Sequence, residues 1–329
     1  MKTILVTGAT GFIASHLIPI LNQHGWQIIA AVRSNCSQSL STPMKTIVVG
    51  DINKNTDWQE ALKGVDTIIH LAARAHILQD DALDPEAEFL KVNTLGTSNL
   101  VKQAIQANVK HFIFISSIGA ITTLSDKILT ENSICQPETP YGKSKLKAEK
   151  DLIELAKNSH MAWTILRPTL VYGQGNPGNM ERLMKLVQRK LPLPFGAINN
   201  RRSFVYVGNL VDAITTIIIH PNAANQTFII SDGEDLSTPQ LIHQIANCLE
   251  SPCSLLPVPL SLLKLIGYMG DGIEQVRQKP FIINSSTIDR LSGSLWVDSS
   301  KLRHTLNWQP PYTFEQGLKE TFQNHQSSY

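Results

Sequence analysis

Short runs of β-branched and aliphatic residues alternate with longer amphipathic stretches over the first half of the chain. Lys2–Val6, Gln27–Val32, Thr46–Val49, Thr67–Leu71, His111–Ser116 and Ala162–Leu166 are nearly continuous apolar runs. Runs of that kind read as strands buried on both faces. Between them, Gly11–His24, Trp58–Leu62, Pro85–Ala107 and Tyr141–Asn158 read as helices. The alternation predicts a parallel sheet covered by helices on both sides, a doubly wound α/β fold of the Rossmann type.

After Arg167-Pro168 the texture changes. Residues 171–202 are rich in Gly, Pro and Asn, with a basic helix expected around Met180–Lys190. Val205–His220 and Thr227–Ile230 read as a helix and a strand that return to the first unit. From Asp232 the chain is prolyl, helical and irregular, without repeats. The expected organisation is a dinucleotide-binding domain, residues 1–170 with a return segment 203–232. A smaller, discontinuous α/β substrate domain takes 171–202 and 233–329.

Composition narrows the function classes. The 329 residues are 42% hydrophobic, and 29 basic side chains face 27 acidic ones, a net charge of +2. That balance gives no general attraction to nucleic acid or acidic membranes, so an anionic ligand needs a few placed cations. Cys36, Cys135, Cys248 and Cys253 do not make a disulfide framework, and their spacing does not suit a metal. Reduced thiols and the absence of a signal-peptide pattern make a cytoplasmic protein the expectation. Leu255–Gly267 is the greasiest stretch, but Pro257, Pro259 and Lys264 interrupt it and it falls short of a bilayer span. It reads as a packed helix of the second domain, with an interfacial patch as the alternative.

The first strand runs into Thr7-Gly8-Ala9-Thr10-Gly11-Phe12-Ile13-Ala14. Gly8 lets the chain turn sharply, and Gly11 clears the approach of a pyrophosphate to the helix N-terminus. Ala14 allows close helix–strand packing. A glycine spacing alone is also met in ordinary tight turns. At the first strand–helix junction of a doubly wound sheet it indicates a dinucleotide. Strand two ends in Ala31-Val32-Arg33-Ser34, where an acidic residue would favour NAD. Arg33 suits a 2′-phosphate or stacking on adenine, and is equally at home as a solvated surface residue. Asp51 is placed to receive the adenine amino group. The cofactor is therefore read as NAD(P), with NADP permitted and NAD not excluded.

Ser117 follows strand five, and Tyr141 and Lys145 stand four apart at the start of a helix, on one face. A phenol with pKa ~10 acts as a base near pH 7 only if a nearby cation stabilises the phenolate, which Lys145 and an oxidised nicotinamide would do. Ser117 can hold a substrate oxygen while Tyr141 exchanges its proton. The same Tyr-x-x-x-Lys spacing also arises by accident on a basic helix such as this one, which carries Lys143, Lys147 and Lys150.

These segments, with Leu71-Ala72-Ala73, Val92-Asn93 and Arg167-Pro168-Thr169-Leu170-Val171-Tyr172-Gly173, resemble the extended short-chain dehydrogenase/reductase family, the NAD-dependent epimerase/dehydratase group. The likeness covers nearly the whole length. It implies hydride-linked proton transfer by Ser117, Tyr141 and Lys145. It implies cofactor contacts from Gly8, Gly11, Phe12, Ile13, Arg33, Asp51, Ile52, Leu71, Ala72, Ala73, Asn93, Tyr141, Lys145 and Pro168. Asn93 would be a structural or proton-relay residue behind the site. The resemblance also implies that Arg202, in Asn200-Arg201-Arg202-Ser203, grips the diphosphate of a nucleotide sugar, a task to which a planar guanidinium is suited. Asn179 matches a family asparagine at the same diphosphate, and Arg290 is a weaker match. Arg74 and His76 are candidates for the sugar pocket, or ordinary loop residues.

Sugar 4,6-dehydratases of this family follow the catalytic hydroxyl with an Asp-Glu pair, whereas Ser117 is followed by Ile118-Gly119, which cannot transfer protons. What remains is keto–alcohol chemistry at C4. Leu71-Ala72-Ala73-Arg74-Ala75-His76, Leu191-Pro192-Leu193-Pro194-Phe195-Gly196 and Ser231-Asp232-Gly233-Glu234-Asp235-Leu236-Ser237-Thr238 look closest to bacterial UDP-N-acetylhexosamine 4-ketoreductases of surface-polysaccharide assembly. The expectation is a reductase acting on a UDP-4-keto-6-deoxy-N-acetylhexosamine. A UDP-sugar 4-epimerase is the alternative, and a non-catalytic dinucleotide sensor is the alternative of another class. Family resemblance also implies a homodimer through Pro85–Ala107 and Tyr141–Asn158.

Overall fold

The computed structural model describes residues 2–34, 44–75, 84–176, 179–277 and 284–323. Seven strands form the main sheet: β1 (Thr3–Thr7), β2 (Gln27–Val32), β3 (Lys45–Val48), β4 (Thr67–His70), β5 (His111–Ile115), β6 (Ala162–Pro168) and β9 (Gln226–Ile230). β7 (Leu170–Tyr172), β8 (Arg202–Tyr206) and β10 (Asp235–Leu236) form a separate sheet of three. The main sheet has the order β3-β2-β1-β4-β5-β6-β9, and every pairing in it is parallel. The order reverses between β1 and β4, so a crevice opens beyond their carboxyl ends.

Continuous apolar strands are explained by side chains that alternate between two cores. Ile4, Val6, Ile28, Ala30, Ile113 and Ile115 pack with α1 (Phe12–Gln23) and α7 (Val207–Ile219). Leu5, Ile29, Ala31, Phe112 and Phe114 face the opposite way, onto α4 (Thr97–Gln106) and α5 (Pro140–Ala156). A third core joins α6 (Asn179–Gln188), α8 (Thr238–Cys248) and α12 (Phe314–Gln323) around Tyr172, Phe204 and Phe314. The short helices α2 (Gln59–Leu62) and α3 (Pro85–Phe89) lie in the first half, and α9 (Leu260–Arg277), α10 (Ser285–Ser292) and α11 (Ser300–Leu306) in the second.

Three sequence readings need correction. The helix expected over Val205–His220 begins only at Val207, because Ser203–Tyr206 is a β-branched and aromatic run that pairs with β7. The helix expected over Pro85–Ala107 is not one α-helix. Between α3 and α4 the segment Leu90–Gly96 widens into a π-helical stretch, which turns Asn93 and Thr94 inward. Leu302, Leu306 and Trp308, read as part of the second unit, pack in the first core with α1 and α7.

One buried polar group ties β5, α5 and β6. Glu149 on α5 accepts from Ser116 Oγ at 2.5 Å, from Arg167 Nε at 3.0 Å and from Arg167 Nη2 at 2.6 Å. Glu149 and Arg167 are 2% and 6% exposed, so each charge depends on the other. Burial opposes the arginine's charge, and the hydrogen bonds and charge of Glu149 outweigh it, leaving the Arg167 pKa raised. Removing one partner of such a pair strands the other. Arg167→Met should cost about 3–5 kcal/mol in urea unfolding, and adding Glu149→Met should recover most of it. A double variant no more stable than the single one would contradict this reading of the pair.

Candidate active site

The phosphate-binding turn lies at the reversal of strand order. Gly8 leaves β1 with φ +66°, and a Cβ there would sit 2.8 Å from Ala72 N and 2.9 Å from Ala72 Cα. Only glycine permits both the left-handed backbone and the close approach of the two strand ends. Gly11 N donates to Gly8 O at 2.9 Å, and Gly11 caps α1 without a side chain. The first turn of α1 has no acidic residue, so the N–H groups after Gly11 and the helix dipole face outward as an anion site. Phe12, Ile13, Ile52 and Leu71 are half-buried around the crevice. Pro168 ends β6, beside the residues leading into β7. This glycine-lined cradle on a helix N-terminus has the form a dinucleotide requires.

Behind the turn, a chain of hydrogen bonds crosses the sheet. Ala72 N donates to Thr7 Oγ1 at 3.2 Å, and Thr7 Oγ1 lies 2.7 Å from His70 Nδ1. His70 Nε2 lies 2.9 Å from Thr97 Oγ1, which donates to Asn93 O at 2.7 Å. One tautomer satisfies every partner: the proton sits on Nε2, and Nδ1 accepts from Thr7. Burial, helped by the charge of Lys145, pushes the His70 pKa down to about 3 and keeps the ring neutral. Sequence reasoning missed His70, Thr7 and Thr97, since nothing in their spacing marks them.

Asn93 clasps the loop after β4 from both sides. Its Oδ1 accepts from Arg74 N at 2.7 Å, while its Nδ2 donates to Arg74 O at 3.0 Å and to Ser144 Oγ at 3.0 Å. These bonds assign Asn93 to holding the loop of Ala72, Ala73 and Arg74 against α5. Arg74 lies over the Phe89 ring at 5.6 Å, and Phe89 meets Tyr141 edge-on at 6.1 Å.

Ser117, Tyr141 and Lys145 converge at the end of β5. Ser117 caps the short turn Ile118–Ala120, accepting from Gly119 N at 3.0 Å. A Cβ on Gly142 would reach 2.2 Å from Gly119 O, so the start of α5 sits directly on the serine loop. Lys145 is 1% exposed; its Nζ donates to Ile115 O at 2.6 Å and lies 4.1 Å from the Phe114 ring centroid. Burial pushes Lys145 down to about 7 against the raising influence of Glu149. Burial likewise pushes Tyr141 up to about 12, partly offset by the hydrogen bond to Ser117. Both groups therefore resist charge, and a cationic ligand beside Tyr141 would favour the phenolate.

Two of the predicted cations come together in the second part of the chain. Arg202 Nη1 donates to Arg290 O, and the Arg202 pKa is lowered by burial and then by the charge of Arg290. The preceding Arg201 is occupied elsewhere, stacked 4.3 Å from the Trp296 ring centroid. Asn200, which sequence reasoning missed, accepts from Thr238 N at 2.8 Å and donates to Leu291 O at 3.1 Å and Gly293 O at 3.0 Å. It thereby fastens the strand bearing Arg202 to the helix bearing Arg290. Arg33 and Asp51, expected to meet the adenosine end, pair with each other at 3.0 Å and are both largely exposed. Asn179 begins α6. His76 lies outside the described residues, as does Cys36. Among the described residues no cluster of His, Cys, Asp and Glu could hold a metal, and no helix is long and apolar enough to cross a membrane.

Two tests follow from this geometry. Gly8→Ala should weaken NAD binding at least about tenfold, read by dinucleotide titration, because the added Cβ drives into Ala72 and strains the turn. For Lys145, the unfolded chain holds a proton up to about pH 10.5 that the folded, unliganded chain releases near 7. Stability should therefore rise with pH across that window, by up to about 1.4 kcal/mol per unit, and the burial penalty is fully present below it. Lys145→Met lacks this slope. Urea unfolding at pH 7.5 and 9.5 should show the parent protein gaining on the variant, and equal gains would show that Lys145 keeps its proton in the folded chain.

Comparison with known proteins agrees with this geometry. The NAD dependent epimerase/dehydratase family matches residues 4–231. A Vibrio cholerae protein named UDP-glucose 4-epimerase is 43% identical over 327 residues, covering 98% of this chain and 95% of its own. An Escherichia coli O157:H7 protein named N-acetyl-alpha-D-glucosaminyl-diphospho-ditrans,octacis-undecaprenol 4-epimerase is 30% identical, covering 97% and 94%. The fold is shared with UDP-N-acetylglucosamine 4-epimerase from Bacillus cereus, at TM-score 0.77 and 21% identity over 100% of this chain and 98% of that one. Family match and full-length relatives lead to one assignment: the chain belongs to the NAD-dependent epimerase/dehydratase family.

Proposed function

We propose that this enzyme is a nucleotide-sugar 4-epimerase that uses NAD to interconvert the C4 epimers of a UDP-hexose or UDP-N-acetylhexosamine. The observation that carries the reading is that Ser117, Lys145 and the start of α5 that bears Tyr141 meet at the carboxyl end of the sheet that also carries the phosphate-binding turn. The paired cations Arg202 and Arg290 supply a place for the sugar diphosphate. The 4-ketoreductase expected from short segment likenesses is the narrower reading, and the names of the full-length relatives favour the epimerase.

The cradle of Gly8, Gly11, Ala72 and the α1 N-terminus would hold the dinucleotide, which supplies hydride acceptance and return at C4. Ser117 holds the C4 oxygen, and Tyr141 takes the hydroxyl proton and later returns it to the ketone. Lys145, fixed by Ile115 O, stabilises the tyrosinate that this exchange creates. Arg202 anchors the diphosphate while the intermediate turns its other face, which is why the anchor must lie on the nucleotide and not on the sugar. Ile118 and Gly119 provide no acid or base for eliminating water. Leu95 and Ile153, 42% and 38% exposed on the π-helical stretch and α5, fit the dimer face expected from the family resemblance.

Incubating the protein with UDP-glucose and UDP-N-acetylglucosamine should yield the 4-epimers with no net NADH. Stoichiometric NADH consumption on a UDP-4-keto-6-deoxy-N-acetylhexosamine, without epimerisation, would replace this reading with the reductase. Tyr141→Phe should lose about 10²–10⁴-fold in turnover while retaining NAD. Arg202→Ala should raise KM about 10–100-fold, the loss of one charge-assisted bond.

A further inference from the structure

The chain passes repeatedly between the core on the main sheet and the core on the smaller one, and four of those crossings meet at Asp232. Asp232 itself lies between β9 and β10. Its N–H donates to Phe204 O on β8 at 2.8 Å, and its Oδ1 accepts at 2.9 Å from Tyr206 N, where β8 gives way to α7. Asn209 of α7 donates to Asp232 Oδ1 at 2.7 Å. The same amide exchanges bonds of 2.9 Å with Tyr312 O and Tyr312 N, which draws in the segment from α11 to α12. From β7, which follows β6, Tyr172 Oη stands 3.0 Å from Asp232 Oδ2.

Tyr172 Oη also stands 3.2 Å from the carbonyl oxygen of Phe314, the first residue of α12. A phenol has one proton to donate, and both neighbours are acceptors when Asp232 is ionised. The hydroxyl then serves one of them and leaves the other. A protonated Asp232 satisfies both: Oδ2 donates to Tyr172, Tyr172 donates to Phe314 O, and Oδ1 still accepts from Asn209 and Tyr206. Helix α12 is seated directly on this hydroxyl. A Cβ on Gly317 would lie 2.6 Å from Tyr172 Oη, and the Phe314 and Tyr172 ring centroids are 4.9 Å apart.

The surroundings decide when the proton is held. Burial, followed by the charge of Glu234 in the same loop, pushes Asp232 up from 3.8 to about 6, against the lowering influence of the bonds from Asn209, Tyr206 and Tyr172. Burial and then Asp232 raise Tyr172, so the phenol keeps its proton and only the direction of its bond changes. Tyr206 is pushed up to about 12 by burial, then by Glu320 of α12 and by Tyr312, and also stays neutral. Arg303 of α11 packs on Gly233, the residue after Asp232.

We propose that Asp232 and Tyr172 form a proton-operated latch on α12. With Asp232 protonated, the tyrosine hydroxyl ties Phe314 O; when Asp232 gives its proton to solvent, the hydroxyl turns to the carboxylate and the tie is released. The Phe314 ring lies 5.5 Å from that of Phe204 on β8, the strand that begins with Arg202, so the latch also bears on the diphosphate cleft. That consequence rests on the proposed role of Arg202, whereas the latch itself does not.

Hydrogen exchange read by mass spectrometry on the full chain tests the latch, with rates corrected for the intrinsic effect of pH and α4 as the internal reference. Between pH 5 and pH 7.5 the protection of α12 should fall about 3–10-fold relative to α4, the worth of one hydrogen bond. Asp232→Asn, whose amide donates to Tyr172 at either pH, should keep the pH 5 protection at both. Tyr172→Phe should show the lower protection at both. A fall in the parent no larger than that of α4, or a fall that persists in Asp232→Asn or Tyr172→Phe, would overturn the proposal. If Tyr172→Phe does not fold, the parent and Asp232→Asn still decide it. No nucleotide sugar enters the measurement, so the latch and the epimerase reading can fail separately.

Discussion

The Glu149 carboxylate is the point on which the site depends. It is buried, and a buried charge persists only where its lone pairs are taken, here by Ser116 and the fork of Arg167. Those bonds fix α5 against the ends of β5 and β6. Ser116 is adjacent to Ser117, and Glu149 is one helical turn beyond Lys145, itself one turn beyond Tyr141. One ion pair behind the sheet therefore sets the distances among the three groups proposed for catalysis. Arg167 also reaches Cys135 Sγ at 3.6 Å, drawing in the loop between β5 and α5.

The same desolvation that secures the clamp makes the site receptive. Lys145 and Tyr141 are each driven towards neutrality, and the fully buried Lys145 has no water shell to lose when a substrate arrives. Charge at Tyr141 becomes favourable only with a cation beside it, which confines the reactive state to the loaded enzyme. Asn93 and the neutral His70 perform a related service for the cofactor loop. Their side chains bond to protein on every nitrogen and oxygen, which ties the loop against Gly8 to α4 and α5.

Much of this arrangement is legible along the chain because it is local. Gly8 and Gly11 lie within four residues of each other, Tyr141 and Lys145 on one helical turn, and the strands are short apolar runs whose period needs no partner to be seen. What escaped reading depends on residues distant in sequence. The π-helical stretch at Leu90–Gly96 exists because Asn93 must reach Arg74 and Ser144, 19 and 51 residues away. Asn200 is an ordinary polar residue until Thr238, Leu291 and Gly293 surround it. Arg201 and Arg202 are chemically identical neighbours, and only Trp296 and Arg290 separate their roles.

By itself, then, the sequence determined the doubly wound sheet, the phosphate-binding turn and the identity of the Ser, Tyr and Lys proposed to act, because periodicity and short spacing are properties of the chain. Tertiary structure decided that Arg202 meets Arg290, which polar groups are spent on holding loops, and that Arg33 pairs with Asp51. It also decided that the apolar face of α9 points outward. Hydrophobic pattern records how much apolar surface a helix carries. Whether that surface is buried depends on what the fold brings against it, and on α9 Leu263 is buried while Leu262, Leu265, Ile266 and Met269 stay exposed.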